Sequence, residues 1–104
     1  MATVKHKFAV LRGHCDAAQR DYHAIERTHN LSWLVARDDA TLTATRERLL
    51  ARGPLRGFVG TVSEAIDLIG QYRDAGVQLL INSDYRNDMD TLEVFASEII
   101  PHFA

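Results

Sequence analysis

The sequence predicts an α/β fold with parallel strands, and three observations carry that expectation. Helical apolar spacing and short strand-like runs alternate along the 104 residues in the order α-β-α-β-α-β-α, as expected of βαβ crossovers. The stretch from Phe58 to Ile81 reads as strand end, Gly60-Thr61 turn, amphipathic helix, Gly76 stop and buried strand. Its last part, Val77-Gln78-Leu79-Leu80-Ile81, is almost continuously apolar, as in a parallel strand covered on both faces.

The first helix runs from about Lys5 to Ala18, with Phe8, Leu11, Cys15 and Ala18 on one apolar stripe. Gly13 weakens it without breaking it. Gln19-Arg20-Asp21 makes a turn, and Asp21 caps a short helical turn that carries Ile25. Thr28 to Ala36 reads as a strand on the pattern of Leu31, Trp33 and Val35. Asp38-Asp39 opens a second helix through about Ala51. Leu42, Leu49 and Leu50 supply its apolar side and Gly53-Pro54 its stop. A short strand follows at Gly57-Phe58-Val59.

The third helix carries the clearest signals. Thr61-Val62-Ser63-Glu64 fits a capping box, in which the Thr61 hydroxyl accepts from the Glu64 amide while the Glu64 carboxylate reaches back. Val62, Ala65, Ile66, Ile69 and Tyr72 form its buried stripe, and Gly76 ends it. After Val77–Ile81 a polar loop, Asn82 to Asp88, leads to a last helix. Asp90 caps that helix, Leu92, Phe95, Ala96 and Ile99 face inward, and Pro101 ends it. No repeat, low-complexity tract or second domain interrupts residues 1–104.

Composition bounds the function. Hydrophobic residues at 46% and charged residues at 25% are those of an ordinary soluble domain. The net charge is −2 and the basic residues are scattered, which argues against a nucleic-acid or anionic-membrane footprint. One cysteine, Cys15, excludes an internal disulfide and suits a reducing cytoplasm. The N-terminus lacks the apolar core of a secretory signal, and no apolar run approaches the ~20 residues of a membrane span.

Chemistry-bearing motifs are sparse. His14 and Cys15 are neighbours on a helix and point about 100° apart, so they do not share an ion easily. No paired His and acidic residues fall on one helical face, so no metal site is expected. Cys15 reads as a small core residue and Trp33 as a core or interface aromatic. There is no nucleophile elbow, Walker loop or dinucleotide fingerprint, and no catalytic residue is assigned.

Several motifs, taken in order, resemble the C-terminal part of the luciferase-like monooxygenase family, nearest its deazaflavin (coenzyme F-420)-dependent oxidoreductase branch. They are His14-Cys15 with Arg20-Asp21-Tyr22 and Ile25-Glu26-Arg27-Thr28; then Phe58-Val59-Gly60-Thr61 with Glu64, Tyr72 and Ala75-Gly76-Val77; then Asp90-Thr91-Leu92, Phe95-Ala96 and Ile99-Ile100-Pro101. The resemblance implies a partial TIM barrel: the last three βα units, preceded by one helix. A whole barrel has eight such units. It also implies coenzyme F-420 or FMN as cofactor, and hydride transfer or monooxygenation by lineage, with this chain not catalytic alone. In a barrel, Gly60-Thr61 and Asn82-Ser83 would lie at the strand ends where phosphate and substrate bind. Two readings of them stand. Thr61 at a helix N-terminus can receive an anion, or Thr61 and Gly60 serve only their own cap and turn. Asn82 can meet a substrate, or can bond its own backbone. Three strands alone leave raw sheet edges and an uncovered face. The alternative expectation is therefore a non-catalytic α/β module that forms homo-oligomers or completes a partner's barrel.

Overall fold

A computed structural model describes residues 1–54, 57–82 and 89–103. It is α/β, mostly helical with short parallel strands. The expected loop at residues 83–88 lies outside the described residues.

Helix α1, Ala2–Ala18, starts three residues earlier than expected, because Met1 and Val4 extend the stripe of Phe8 and Leu11 and pack on the core. Cys15 is buried and Ala18 exposed. The helix ends on Gln19, whose φ of 55° is left-handed, with the Arg20 amide donating to the Cys15 carbonyl at 2.8 Å. A 3₁₀ turn, Tyr22–Ala24, follows, and its Asp21 cap accepts from the His23 amide at 3.0 Å.

The single strand expected at Thr28–Ala36 is two strands, β1 (Thr28–Leu31) and β2 (Trp33–Ala36), parted at Ser32. The two halves pair differently. β1 runs parallel to β4 (Leu79–Asn82), with Thr28 opposite Leu79 and Leu31 opposite Asn82. β2 runs parallel to β3 (Phe58–Thr61), with Trp33 opposite Phe58 and Ala36 opposite Thr61. Successive residues of a strand send their peptide groups to alternate edges. Arg27 and Trp33 meet the β4 side, since the Arg27 carbonyl accepts from the Leu79 amide and the Trp33 amide donates to Asn82 Oδ1. Ser32 meets the β3 side through its carbonyl, which accepts from the Phe58 amide at 2.8 Å. The β1–β2 run therefore lies between β4 on one edge and β3 on the other.

Two strands differ from their expected limits. β3 extends through Gly60 and Thr61, so Gly60 is an in-register strand residue opposite Val35 and the helix follows without a turn. Gly57, at φ 79°, supplies the bend instead; a Cβ there would run into the Ser32 carbonyl. β4 starts at Leu79 and is not covered on both faces. Leu80 and Asn82 are half-buried, whereas Leu79 and Ile81 remain 44% and 41% exposed.

Helix α2, Asp39–Leu50, is capped by Asp38, whose Oδ1 accepts from the Thr41 amide at 2.7 Å. It buries Leu42 and Leu49 and leaves Leu50 exposed. Helix α3, Val62–Asp74, has the full capping box, buries Ala65 and Tyr72, and ends at Gly76 with φ 103°. Trp33 and Val35 face a core of Ala65, Tyr72, Val77, Val94 and Ile99. By the strand's alternation Leu34 and Ala36 face the other way, toward the side where α2 contacts β2 and β3.

The last helical run is α4 (Met89–Val94), a π-helical segment (Phe95–Ile99) and α5 (Ile100–Phe103). Asp90 lies in the first turn of α4 rather than before it. The fully buried positions are Thr91, Val94 and Ile99. Leu92 and Phe95 are half-buried, and Ala96 is exposed. The helix is rotated because Thr91 is drawn onto β2: its hydroxyl accepts from the Val35 amide at 3.2 Å and donates to the Val35 carbonyl at 3.3 Å. The wide π turn then advances the stripe from Val94 to Ile99. Pro101 does not end the helix; it follows the π turn directly, and the chain stays helical from Ile100 through Phe103.

The molecule measures 51 × 30 × 20 Å, and its radius of gyration of 16.1 Å exceeds the ~13 Å of a compact chain this size. Surface is therefore plentiful relative to core. Among the described residues no helix is long and apolar enough to cross a membrane.

Candidate functional site

The three residues singled out by sequence lie near strand ends, and each engages its own protein. Gly60 is buried in β3, and the volume a Cβ would take is filled by the Phe58 ring two residues earlier on the same face. That ring in turn packs on Trp33 at 5.1 Å between centroids. Thr61 caps α3. Its amide and hydroxyl donate to Glu64 Oε1 at 3.2 and 3.0 Å, and its Oγ1 accepts from the Glu64 amide at 3.5 Å. Both Thr61 donors are thereby taken. Asn82 turns its Oδ1 inward to the Trp33 amide at 3.3 Å, continuing the β4 side of the ladder with a side chain. Thr91 does the same one step further on, at Val35.

Parallel α/β sheets take ligands outside the carboxyl ends of their strands, where successive connections leave for opposite edges. Here the chain goes from β2 through α2 to β3 on one edge, then through α3 to β4 on the other. The crevice at that point holds about 190 Å³ and is lined by Ala36, Arg37, Asp38, Thr41, Asp90 and Val94. In the sequence Asp38 stands out only as the start of a helix and Asp90 only as a cap, and Arg37 carries no signal.

Arg37 closes one side of this crevice. Its Nε lies 2.7 Å from Glu98 Oε2, and its Nη2 lies 4.0 Å from Glu93 Oε1 and donates to Ser97 Oγ at 3.3 Å. Ser97 Oγ donates in turn to the Glu93 carbonyl at 2.8 Å. This latch ties the end of β2 to the last helical run. All three charges are partly exposed, so the latch contributes at most about 1 kcal/mol. Asp38 is held below the usual carboxylate range by the Thr41 backbone and side-chain hydrogen bonds. It therefore stays ionised and cannot serve as a general acid at neutral pH.

Among the described residues no group of three His, Cys, Asp or Glu side chains is placed to hold a metal ion. The crevice is smaller than the ~300–1,000 Å³ of usual ligand pockets, and the one hydroxyl–carboxylate contact in its described lining, Thr41 with Asp38, belongs to the cap of α2. A flavin or deazaflavin does not fit it. Gly60 and Thr61 leave no open cradle for such a cofactor's phosphate, and Asn82 has its Oδ1 committed to the Trp33 amide.

No family model, no curated protein and no solved structure matches this chain.

A different surface stands out. On one face of the β1–β4 sheet, Thr28 and Asn30 line up beside Leu79 and Ile81, and all four are exposed. The inner face, carrying His29 and Leu80, is packed: the His29 ring stacks on Tyr72 at 4.6 Å. α2 packs chiefly on β2 and β3. The bare half of the sheet is where an α/β protein would place another helix.

Proposed function

We propose that this chain is a non-catalytic α/β module that works by association with another chain through β4, a second copy being the direct form. The observation that carries this reading is the exposed Leu79–Ile81 face on a strand whose outer edge has no partner among the described residues. Antiparallel pairing of β4 with its copy about a two-fold axis would join two short sheets into one and remove both edges. Fully burying one Leu or Ile side chain stabilises by about 1.5–3 kcal/mol. Edge pairing sets Leu79 and Ile81 beside the partner's side chains and covers part of each, so they contribute a fraction of that value, about 0.2–1 kcal/mol per cross-strand pair, beside the new ladder hydrogen bonds. Replacing Ile81 by glutamate places a charge in that interface and should leave a folded monomer. Sedimentation across the micromolar range reads the result, and a wild-type chain that stays monomeric throughout would exclude self-association.

The partial TIM barrel and its oxidoreductase lineage rest on the motif resemblance. In that form the partner completes the barrel, with coenzyme F-420 or FMN held largely by the partner's strands, in a cytoplasmic assembly. A barrel orders its strands consecutively, so β3 would lie between β2 and β4. Amide-to-amide contacts across β3 and β4 in solution would support it. Unchanged deazaflavin or flavin fluorescence at saturating protein would remove cofactor binding from this chain.

A further inference from the structure

At the opposite end of the strands from the Arg37 crevice, α1, the 3₁₀ turn and the end of α3 border an open, shallow recess of about 360 Å³. Its centre is Tyr22. The Arg12 guanidinium carbon lies 4.4 Å from the ring centroid and that of Arg27 lies 4.5 Å from it, and the His23 ring meets its edge at 5.4 Å. The two guanidinium groups therefore lie no farther apart than the sum of those two distances, within the ~8–10 Å over which salt fails to screen them. Among the described residues neither makes an ion pair with a carboxylate.

Arg27 also holds the fold together. Its Nε donates to the Gly76 carbonyl at 3.0 Å and its Nη1 donates to the Ile25 carbonyl at 3.4 Å, which caps the end of α3. Arg12 has no comparable role, since among the described residues it meets only the ring. Negative groups nearby do not cancel the pair. The carbonyl end of α3 counts for about half a charge. Asp74, on the rim, is met by Arg73 at 3.2 Å, and Asp21 is engaged on the His23 amide. Set against the two guanidinium groups, the helix end and the Asp21 carboxylate leave a surplus of about half a positive charge beside an aromatic floor.

We propose that this recess is an oxyanion site. It takes a small molecule bearing a phosphate or carboxylate, held by Arg12 and His23 above Tyr22, with Arg27 supplying charge from behind. Charge-assisted bonds to guanidinium are roughly twice as strong as neutral ones, so removing Arg12 should weaken binding about tenfold. The test is titration of the whole chain with inorganic phosphate, phenyl phosphate and benzoate, followed by NMR of the Arg12, Tyr22 and His23 side chains. Saturable shifts at these three residues are expected, weakened about tenfold in Arg12→Gln. The shifts should be largely retained in Arg12→Lys and unchanged in Arg46→Gln, a surface arginine on α2. Tighter phenyl phosphate assigns a phosphate ligand, and tighter benzoate a carboxylate. Both Arg12 variants sit on an exposed face of α1, and unchanged circular dichroism would establish that they fold. Linear, non-saturating shifts, or equal weakening in Arg12→Gln and Arg46→Gln, would overturn the site.

Discussion

Replacing Thr91 by valine isolates the contact that seats the last helical run on the sheet. The two side chains have nearly the same shape, so the change removes a hydroxyl and adds no cavity. That hydroxyl is fully buried and serves both the amide and the carbonyl of Val35, itself 1% exposed. The Val35 amide is left buried without its partner at about 1–3 kcal/mol, and the second bond, to the carbonyl, forfeits about 1 kcal/mol net. The expected cost is about 2–4 kcal/mol, or more than about 8 °C in melting temperature for a chain this size. Urea unfolding followed by the fluorescence of Trp33 is a direct assay, since that single indole is 2% exposed and packs on Phe58 and Phe95. Thr91→Ser keeps the hydroxyl and should cost about 1 kcal/mol, the value of one buried methyl. If valine were as stable as threonine to within a few tenths of a kcal/mol, the sheet edge would not depend on Thr91 and the account of the helix rotation would fail.

Three other outcomes follow from single positions. Gln19→Gly should raise stability by about 1 kcal/mol in thermal unfolding, because Gln19 holds a left-handed φ of 55° that glycine adopts without penalty. Gly60→Ala should cost about 1–3 kcal/mol by driving a methyl into the Phe58 ring, and Phe58→Leu in the same chain should return part of it, a coupling read in a double-mutant cycle. Asp38→Asn should flatten the acid limb of the stability curve. The folded pKa of Asp38 lies below its ordinary 3.8, so its contribution is complete above that value and fades as pH falls through the folded pKa.

Local chemistry is legible in the sequence wherever a residue acts on its own neighbours. The Thr61–Glu64 capping box, the helix start at Asp38-Asp39, the Asp21 cap and the Gly76 stop all stand where the sequence predicts them. The parallel direction of the strands is also legible. Long-range pairing is not. Nothing in Thr28–Ala36 announces that its first half pairs with β4 and its second with β3, because that division depends on residues more than twenty positions away. The apolar run at Val77–Ile81 suggests cover on both faces, but apolarity records only what a strand can bury, and Leu79 and Ile81 lie on the bare face. The last helix departs from its pattern for a related reason. Its hydrophobic stripe points to Leu92 and Ala96, while a polar residue, Thr91, takes the central buried place by pairing with Val35. As for the site, Gly60, Thr61 and Asn82 stand out by turn chemistry, and each is held by a neighbour. The Arg12–Tyr22–Arg27 cluster joins residues from separate segments, and no spacing in the sequence marks it.

Sedimentation equilibrium of the wild-type chain beside Ile81→Glu bears most directly on the central claim. A reversible dimer in the micromolar range that Ile81→Glu reduces to a folded monomer is the result predicted by association through β4. A wild-type monomer at every concentration, or a dimer indifferent to the charge at Ile81, would contradict it.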